Sequence, residues 1–340
     1  MLESYGVAMK ILITGGAGFL GTRLARALLG RGELAGCAIG QLVLVDQFAP
    51  VADLCADPRV RVATGDLLAI SPELAGEIFH AVFHLAAATS SECEANFDLG
   101  MRSNLDATRV LLDLLRASGA CPRFVFASSV AVFGGTLQEP LPQVITDTTA
   151  PLPQSSYGSQ KFICEQMVAD YSRKGFIDGR VARLMTVAVR PGRPNGAASS
   201  FLSSIVREPL HGEAAVCPVP REMRVALASP ASTVGGLIGT AEADRQLISG
   251  YRAVNMPGLT VSVGEMLDTL ETVGGTAARA LIRFEADADI TRIVGGWPSS
   301  FDSALASRLG LVPDVSFQSI VEEFVREDAD AKILVSEGAG

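Results

Sequence analysis

Charged side chains make up only 19% of this 340-residue chain and aromatics only 6%, with one Trp and three His. The formal net charge is -9, so the broad basic surface that grips a nucleic-acid backbone is missing. No nucleic-acid partner is expected. An acidic balance still leaves room for a small anionic substrate, which needs only one or two local arginines. No apolar run approaches the roughly 18 residues of a helical membrane span, so no membrane partner is expected either. The six cysteines at 37, 55, 93, 121, 164 and 217 form no C-x-x-C pair. In a chain this long they fit reduced thiols in a cytoplasmic protein better than a disulfide framework. His80 and His84 lack metal-ligand spacing, and no metal site is expected. The stretch MLESYGVA ahead of Met9 has no basic segment leading into an apolar one. It reads as a frayed extension, residues 1–8, matched by another at 331–340.

Glycine, by contrast, is abundant at 34 residues, and the mean hydropathy is +0.32. Without a G-x-y period, so much glycine points to tight turns and close backbone approaches. Short apolar runs at 9–14, 41–46, 60–64, 81–86, 123–128 and 180–189 predict strands. Helical periodicity fills the gaps at 19–29, 72–79, 97–118 and 157–173. Alternation of this kind predicts an α/β fold, a Rossmann-type doubly wound parallel sheet covered on both faces. After Arg190 the pattern changes to a turn-rich insertion, a less regular 211–230, a helix near 232–248 and a strand near 251–255. Helices near 262–273, 303–309 and 316–328, with strands near 281–285 and 290–294, predict a smaller mixed lobe. The expected division is a dinucleotide-binding domain at 9–189 with a returning segment at about 228–256. Residues 190–227 and 257–330 form the expected substrate-binding lobe.

The run TGGAGFLG at 14–21 sits between a strand and a helix, the context that gives a glycine fingerprint meaning. Gly15 permits the tight turn, Gly18 lets backbone approach a pyrophosphate, and Gly21 allows close helix–strand packing. Phe19 and Leu20 open the helix whose N-terminus faces the phosphates. Asp46 closes the second strand 25 residues beyond Gly21, where a carboxylate accepts from a ribose 2′-hydroxyl and repels a 2′-phosphate. NAD is therefore expected over NADP. Asp66 and Leu67 follow the third strand, at the adenine end. Ala86, Ala87 and Ala88 follow the fourth, where small side chains let a cofactor lie against the backbone.

Tyr157 and Lys161, four apart in YGSQK, share one face of a predicted helix. An ammonium beside a phenol favours the phenolate and can also bind ribose hydroxyls. Ser129, with Ser128 as the fallback one residue earlier, lies just past the fifth strand, placed to hydrogen-bond a substrate hydroxyl. Asn104 lies in the helix between strands four and five, placed to steady a water joining Lys161 to solvent.

In their order, TGGAGFLG, HLAA (84–87), SSVAVFG (128–134) and YGSQK resemble the extended short-chain dehydrogenases/reductases, the group of nucleotide-sugar epimerases and dehydratases. The resemblance covers residues 9–330. It implies that Tyr157 is the acid/base, Lys161 its partner, Ser129 the hydroxyl-binding residue and Asn104 the relay. It also implies a homodimer built from the 97–118 and 157–173 helices. Leu105, Leu111, Leu112 and Leu115 there are equally expected from sheet packing.

The sequence departs from the group's dehydratases: Val130 and Ala131 stand where those carry acids, and Phe133 replaces a Tyr. Dehydration is disfavoured. Thr186 occupies roughly the place of a usual Asn. The segments RPGRPNGAASSF, MRVALASP and WPSSFDSALASRLGL resemble the four-carbon sugar-acid dehydrogenases of the group. That resemblance implies oxidation of D-erythronate at C2 to 2-dehydro-D-erythronate. Its carboxylate needs a clamp, for which Arg183, Arg190, Arg193, Arg207, Arg221 and Arg224 are candidates, with Thr186, Ser199 and Ser200 as further contacts. Asn195 is expected in a turn, Trp297 in packing, and Cys164 and His84 in structural roles. A nucleotide-sugar 4-epimerase with tightly held NAD is the alternative reading. A cofactor-binding regulator without catalysis is a third.

Overall fold

In the computed structural model, which describes residues 8–136, 138–192, 198–248, 253–328 and 331, the charge-poor runs become one parallel sheet, to which Glu33–Leu34 adds a short antiparallel edge strand. Its strands are β1 (Met9–Thr14), β2 (Cys37–Asp46), β3 (Val60–Thr64), β4 (Ala81–His84), β5 (Arg123–Ser129) and β6 (Asp178–Leu184). After two strands of a second sheet, β7 (Thr186–Val187) and β8 (Arg224–Ala228), the chain returns as β9 (Val254–Asn255). The order across the main sheet is β3-β2-β1-β4-β5-β6-β9. The chain therefore winds outward from β1 in one direction, then crosses to β4 and winds in the other. Such a switch point opens a crevice beyond the C-terminal ends of β1 and β4. Register brings those ends level: Thr14 lies beside Val45 on one side and His84 on the other, and Ser129 lies beside Leu184.

Successive residues of a strand face opposite sides, and both sides here are covered. Ile11, Ile13, Leu42 and Leu44 pack under helices α1 (Phe19–Arg31) and α5 (Pro230–Glu242) through Leu24, Leu28, Leu237 and Ile238. Leu12, Val43 and Phe124 pack under α2 (Ala107–Ser118) and α3 (Ser156–Arg173) through Leu111, Leu112, Leu115 and Val168. Truncating one such buried leucine to alanine costs about 2–5 kcal/mol. The three α2 leucines are thus spent on the sheet.

The second layer is built on β7, β8 and β10 (Leu259–Ser262), with β8 parallel to β7 and antiparallel to β10. Helices α4 (Phe201–Leu210), α6 (Val263–Ala280) and α8 (Phe317–Glu327) share one core with it through Leu202, Ile205, Met266, Leu270, Ile320 and Phe324. Several expectations fail. Residues 290–294 are not a strand but part of helix α7 (Ala288–Gly295). The Asp287 carboxylate accepts from the Asp289 and Ile290 N–H groups, and Ile290 and Val294, one turn apart, face the core. The expected helix at 72–79 shrinks to Leu67–Ile70 and a single 3-10 turn, Ser71–Leu74, stopped by Gly76 at φ +79°. The run at 180–189 divides at Met185 into strands of two different sheets. Position 251, the expected start of the returning strand, is outside the described residues, as are 1–7 and 332–340.

Candidate active site

Gly15 adopts φ +73°, and its N–H and that of Gly16 donate to Val45 O. A Cβ on Gly15 would lie 2.8 Å from Ala86 N, and one on Gly21 only 2.0 Å from Gly15 O. The loop therefore turns, and the first helical turn packs onto it, only without side chains. Gly18 is the N-cap of α1 and brings no capping side chain, leaving the amide groups of that turn open toward the crevice. Asp46 Oδ2 accepts from Ala17 N at 3.0 Å and Oδ1 from Phe48 N at 3.1 Å. The same carboxylate thus fixes the glycine loop and faces the crevice.

That crevice is a cavity of about 600 Å³. Gly15, Gly18, Phe19, Leu20, Gly21, Asp46, Asp66, Leu67, Ala86, Ala87 and Ala88 line one end of it. Asp66 also caps Leu68 N at 2.9 Å and pairs with Arg102 at 2.8 Å. Arg102 holds its carboxyl below the usual range, so its capping and lining roles coexist. Ser129, Tyr157, Lys161, Thr186, Arg190 and Ser199 line the other end, joined by Trp297. Ser200 and Arg224 are not on the wall, and Arg224 is exposed at the start of β8. Arg193 and Asn195 lie outside the described residues.

α3 is placed by its N-cap, Ser155, whose hydroxyl accepts from Gly158 N at 3.1 Å. A Cβ at Gly158 would come within 2.1 Å of Ala131 O, so the helix start abuts the loop that follows Ser129. Burial pushes the Tyr157 phenol up to about 12, opposed by the neighbouring Ser129 hydroxyl and by the positive charge of Arg190. Lys161 Nζ donates to Ala127 O at 2.9 Å and sits 5.7 Å from the Tyr157 ring centre. Burial brings Lys161 down to about 8. From spacing alone, Lys161 supplies the positive charge near the phenol; in the structure Arg190 supplies it as well.

Asn104 stands behind the wall, in a π turn, Met101–Asp106, ahead of α2. Its Oδ1 accepts from Ala88 N at 2.8 Å, and its Nδ2 donates to Gln160 Oε1 at 2.8 Å. The Asn104 amide therefore ties the alanine loop to α3. Its main-chain carbonyl accepts from Thr108 Oγ1 at 2.6 Å. That bond orients a longer chain. Thr108 accepts from His84 Nε2 at 2.8 Å, so Nδ1 is unprotonated and accepts from Thr14 Oγ1 at 2.6 Å. Thr14 in turn accepts from Ala86 N at 3.3 Å.

Two features escaped sequence reasoning. Trp297 packs against the second-layer core but also forms cavity wall. Glu165, one turn beyond Lys161, is fully buried and takes Arg183 Nε at 2.9 Å, Arg183 Nη2 at 2.6 Å and Ser128 Oγ at 2.5 Å. Glu165 and Arg183 lie 18 positions apart, on a helix and a strand, and no spacing in the sequence signals that pair.

Residues 11–224 match the model of the NAD dependent epimerase/dehydratase family. The chain is similar to D-erythronate dehydrogenase of Cupriavidus necator, 48% identical over 95% of this chain and 100% of the relative. Its similarity to D-erythronate dehydrogenase of Haemophilus influenzae is 46%, over 94% of this chain and 100% of that one. Among solved structures it resembles the nucleoside-diphosphate-sugar epimerase from Agrobacterium tumefaciens. The TM-score is 0.89 and the identity 41%, over 98% of this chain and 100% of that chain.

Proposed function

Because the chain belongs to the NAD-dependent epimerase/dehydratase family, we propose that it oxidises D-erythronate at C2 to 2-dehydro-D-erythronate with NAD as acceptor. One observation carries this reading. The likeness to the two D-erythronate dehydrogenases spans 95% and 94% of this chain, and so extends past the glycine loop into the second lobe that closes the cavity.

The nucleotide end fits NAD. A Cβ would fill the space against Gly15, and Asp46 presents a carboxylate where a ribose diol would donate and a 2′-phosphate would be repelled. Gly15, Gly18 and Asp46 would hold the cofactor, with Asp66 at its adenine end, and when bound it accepts a hydride from C2. In the same proposal Ser129 holds the C2 hydroxyl by hydrogen bonding, and Tyr157 takes its proton. Lys161, held by Ala127 O, is the cation that favours the phenolate once water is excluded. Asn104 orients the Ala88 loop and, through Gln160, the catalytic helix.

Phe97, which precedes α2, and Ile163 on α3 are exposed apolar side chains. They support a homodimer through these helices, and light scattering of the purified protein at the mass of one chain would refute it. Among the described residues no helix is long and apolar enough to cross a membrane. Free thiols at all six cysteines fit a reducing compartment such as the cytoplasm.

A screen of NAD reduction over D- and L-erythronate and D- and L-threonate tests the substrate assignment. D-erythronate should give the highest kcat/KM; no NADH with any of the four would refute it. The name of the Agrobacterium relative favours a second reading, nucleotide-sugar epimerisation. Under it, UDP-sugars interconvert with no net change in cofactor.

A further inference from the structure

We propose that Arg190 is the carboxylate clamp of this cavity, holding C1 of a 2-hydroxy acid so that the C2 hydroxyl meets Tyr157 and Ser129. This deepens the reading above and rests on it for the identity of the acid.

Among the described arginines near the junction of the two layers, the others are already engaged or lie elsewhere. Arg183 gives Nε and Nη2 to Glu165 and Nη1 to Asn255 Oδ1. Arg207 gives one terminal nitrogen to Glu208 and the other to Arg190 O. Arg221 pairs with Asp268 at the surface. Arg224 is exposed and off the cavity wall.

Arg190 differs from all of these. Its Nε donates to Val187 O at 3.1 Å, which orients the guanidinium. Its main chain is pinned on both sides, the N–H to Ser203 Oγ at 3.1 Å and the carbonyl by Arg207 at 2.7 Å. No acceptor among the described residues takes its terminal nitrogens, and no carboxylate pairs with it. Burial lowers its pKa, and ionisation of Tyr157 would raise it. A pre-aimed fork with no counter-ion among the described residues, in a wall shared with Tyr157, suits a planar carboxylate.

Its location specifies which anion. In a 2-hydroxy acid the carboxylate is bonded directly to the reacting carbon, so cation and acid/base must be neighbours. In a nucleotide sugar the diphosphate is separated from the reacting carbon by atoms of the sugar ring. The proximity of Arg190 and Tyr157 fits the first geometry.

Oxalate, a planar mimic of a 2-keto acid carboxylate end, is the probe. Calorimetric binding of oxalate to the NADH complex should weaken roughly 100-fold in Arg190→Met, the loss typical of removing one partner of a charged pair. Arg190→Lys should fall between, retaining charge without the fork, and Arg224→Met should match the wild type. NADH affinity within two-fold of wild type shows that each variant is folded. Unchanged oxalate binding in Arg190→Met, or none in the wild type, overturns the clamp. Should the wild type bind oxalate through Arg190 yet leave D-erythronate unoxidised, the clamp stands and the substrate assignment fails.

Discussion

Glu165 and Arg183 form a two-pronged ion pair between α3 and the sheet, with Nε–Oε1 at 2.9 Å and Nη2–Oε2 at 2.6 Å. The pair joins α3, which carries Tyr157 and Lys161, to β6. Ser128, next to Ser129, donates to the same carboxylate, so one buried anion aligns both halves of the candidate catalytic group. Removing that charge leaves the guanidinium of Arg183 uncompensated. Glu165→Gln should therefore lose about 3–5 kcal/mol of stability, as breaking a buried pair does. Urea denaturation measures it, and a loss below about 1 kcal/mol would show the pair to be incidental. At temperatures where the variant remains folded, kcat should fall while NAD affinity holds.

Tyr157→Phe should lower turnover roughly 100- to 10,000-fold, the span of general acid–base contributions, with little change in NAD affinity. Burial holds the wild-type phenol high, up to about 12 in the free chain, so its base form grows as pH rises. Oxidation should accordingly show kcat/KM climbing from neutral into alkaline pH. A flat profile in the wild type, or unchanged turnover in the variant, removes Tyr157 from proton transfer.

Asp46→Ala should reduce discrimination against NADP and also weaken NAD itself, because Asp46 Oδ2 anchors Ala17 in the glycine loop. Ratios of kcat/KM for the two cofactors provide the measure. Equal ratios in variant and wild type would leave Asp46 a loop anchor alone.

His84 is buried and brought down to about 3, chiefly by burial and then by the charge of Lys161. Unfolded, it titrates near 6.5, so between those values the unfolded chain binds more protons than the folded one. Stability must then fall as pH drops below about 6.5, by up to roughly 1.4 kcal/mol per pH unit from this residue. His84→Gln should lose less stability than wild type between pH 7 and pH 5. Identical losses in urea titrations would remove His84 as a source of acid lability.

Most of the main sheet was legible because its strands are short apolar runs between turn residues, and the glycine loop because its spacing follows from turn geometry. The positions of Tyr157, Lys161 and Ser129 on one wall also followed from chain order and helix spacing. Residues 290–294 misled because Ile290, Ile293 and Val294 suit a strand or a helix, and Asp287 decides between them by capping. The choice among arginines was not legible at all. Arg183 is neutralised by Glu165, and Arg221 by Asp268, 47 positions along the chain. Such partners are visible only once the chain is folded. Trp297 was assigned to packing because a lone Trp has no pattern; its place on the wall depends on the second layer closing over the crevice.

Net oxidation of D-erythronate is tested most directly by its stoichiometry. Purified protein is incubated with D-erythronate and excess NAD, and NADH is read by absorbance while the 2-keto acid is trapped as a hydrazone. One NADH is expected for each molecule of 2-keto acid formed, continuing over many turnovers per chain. Absence of both products, together with interconversion of UDP-sugars at constant total NAD, would contradict it.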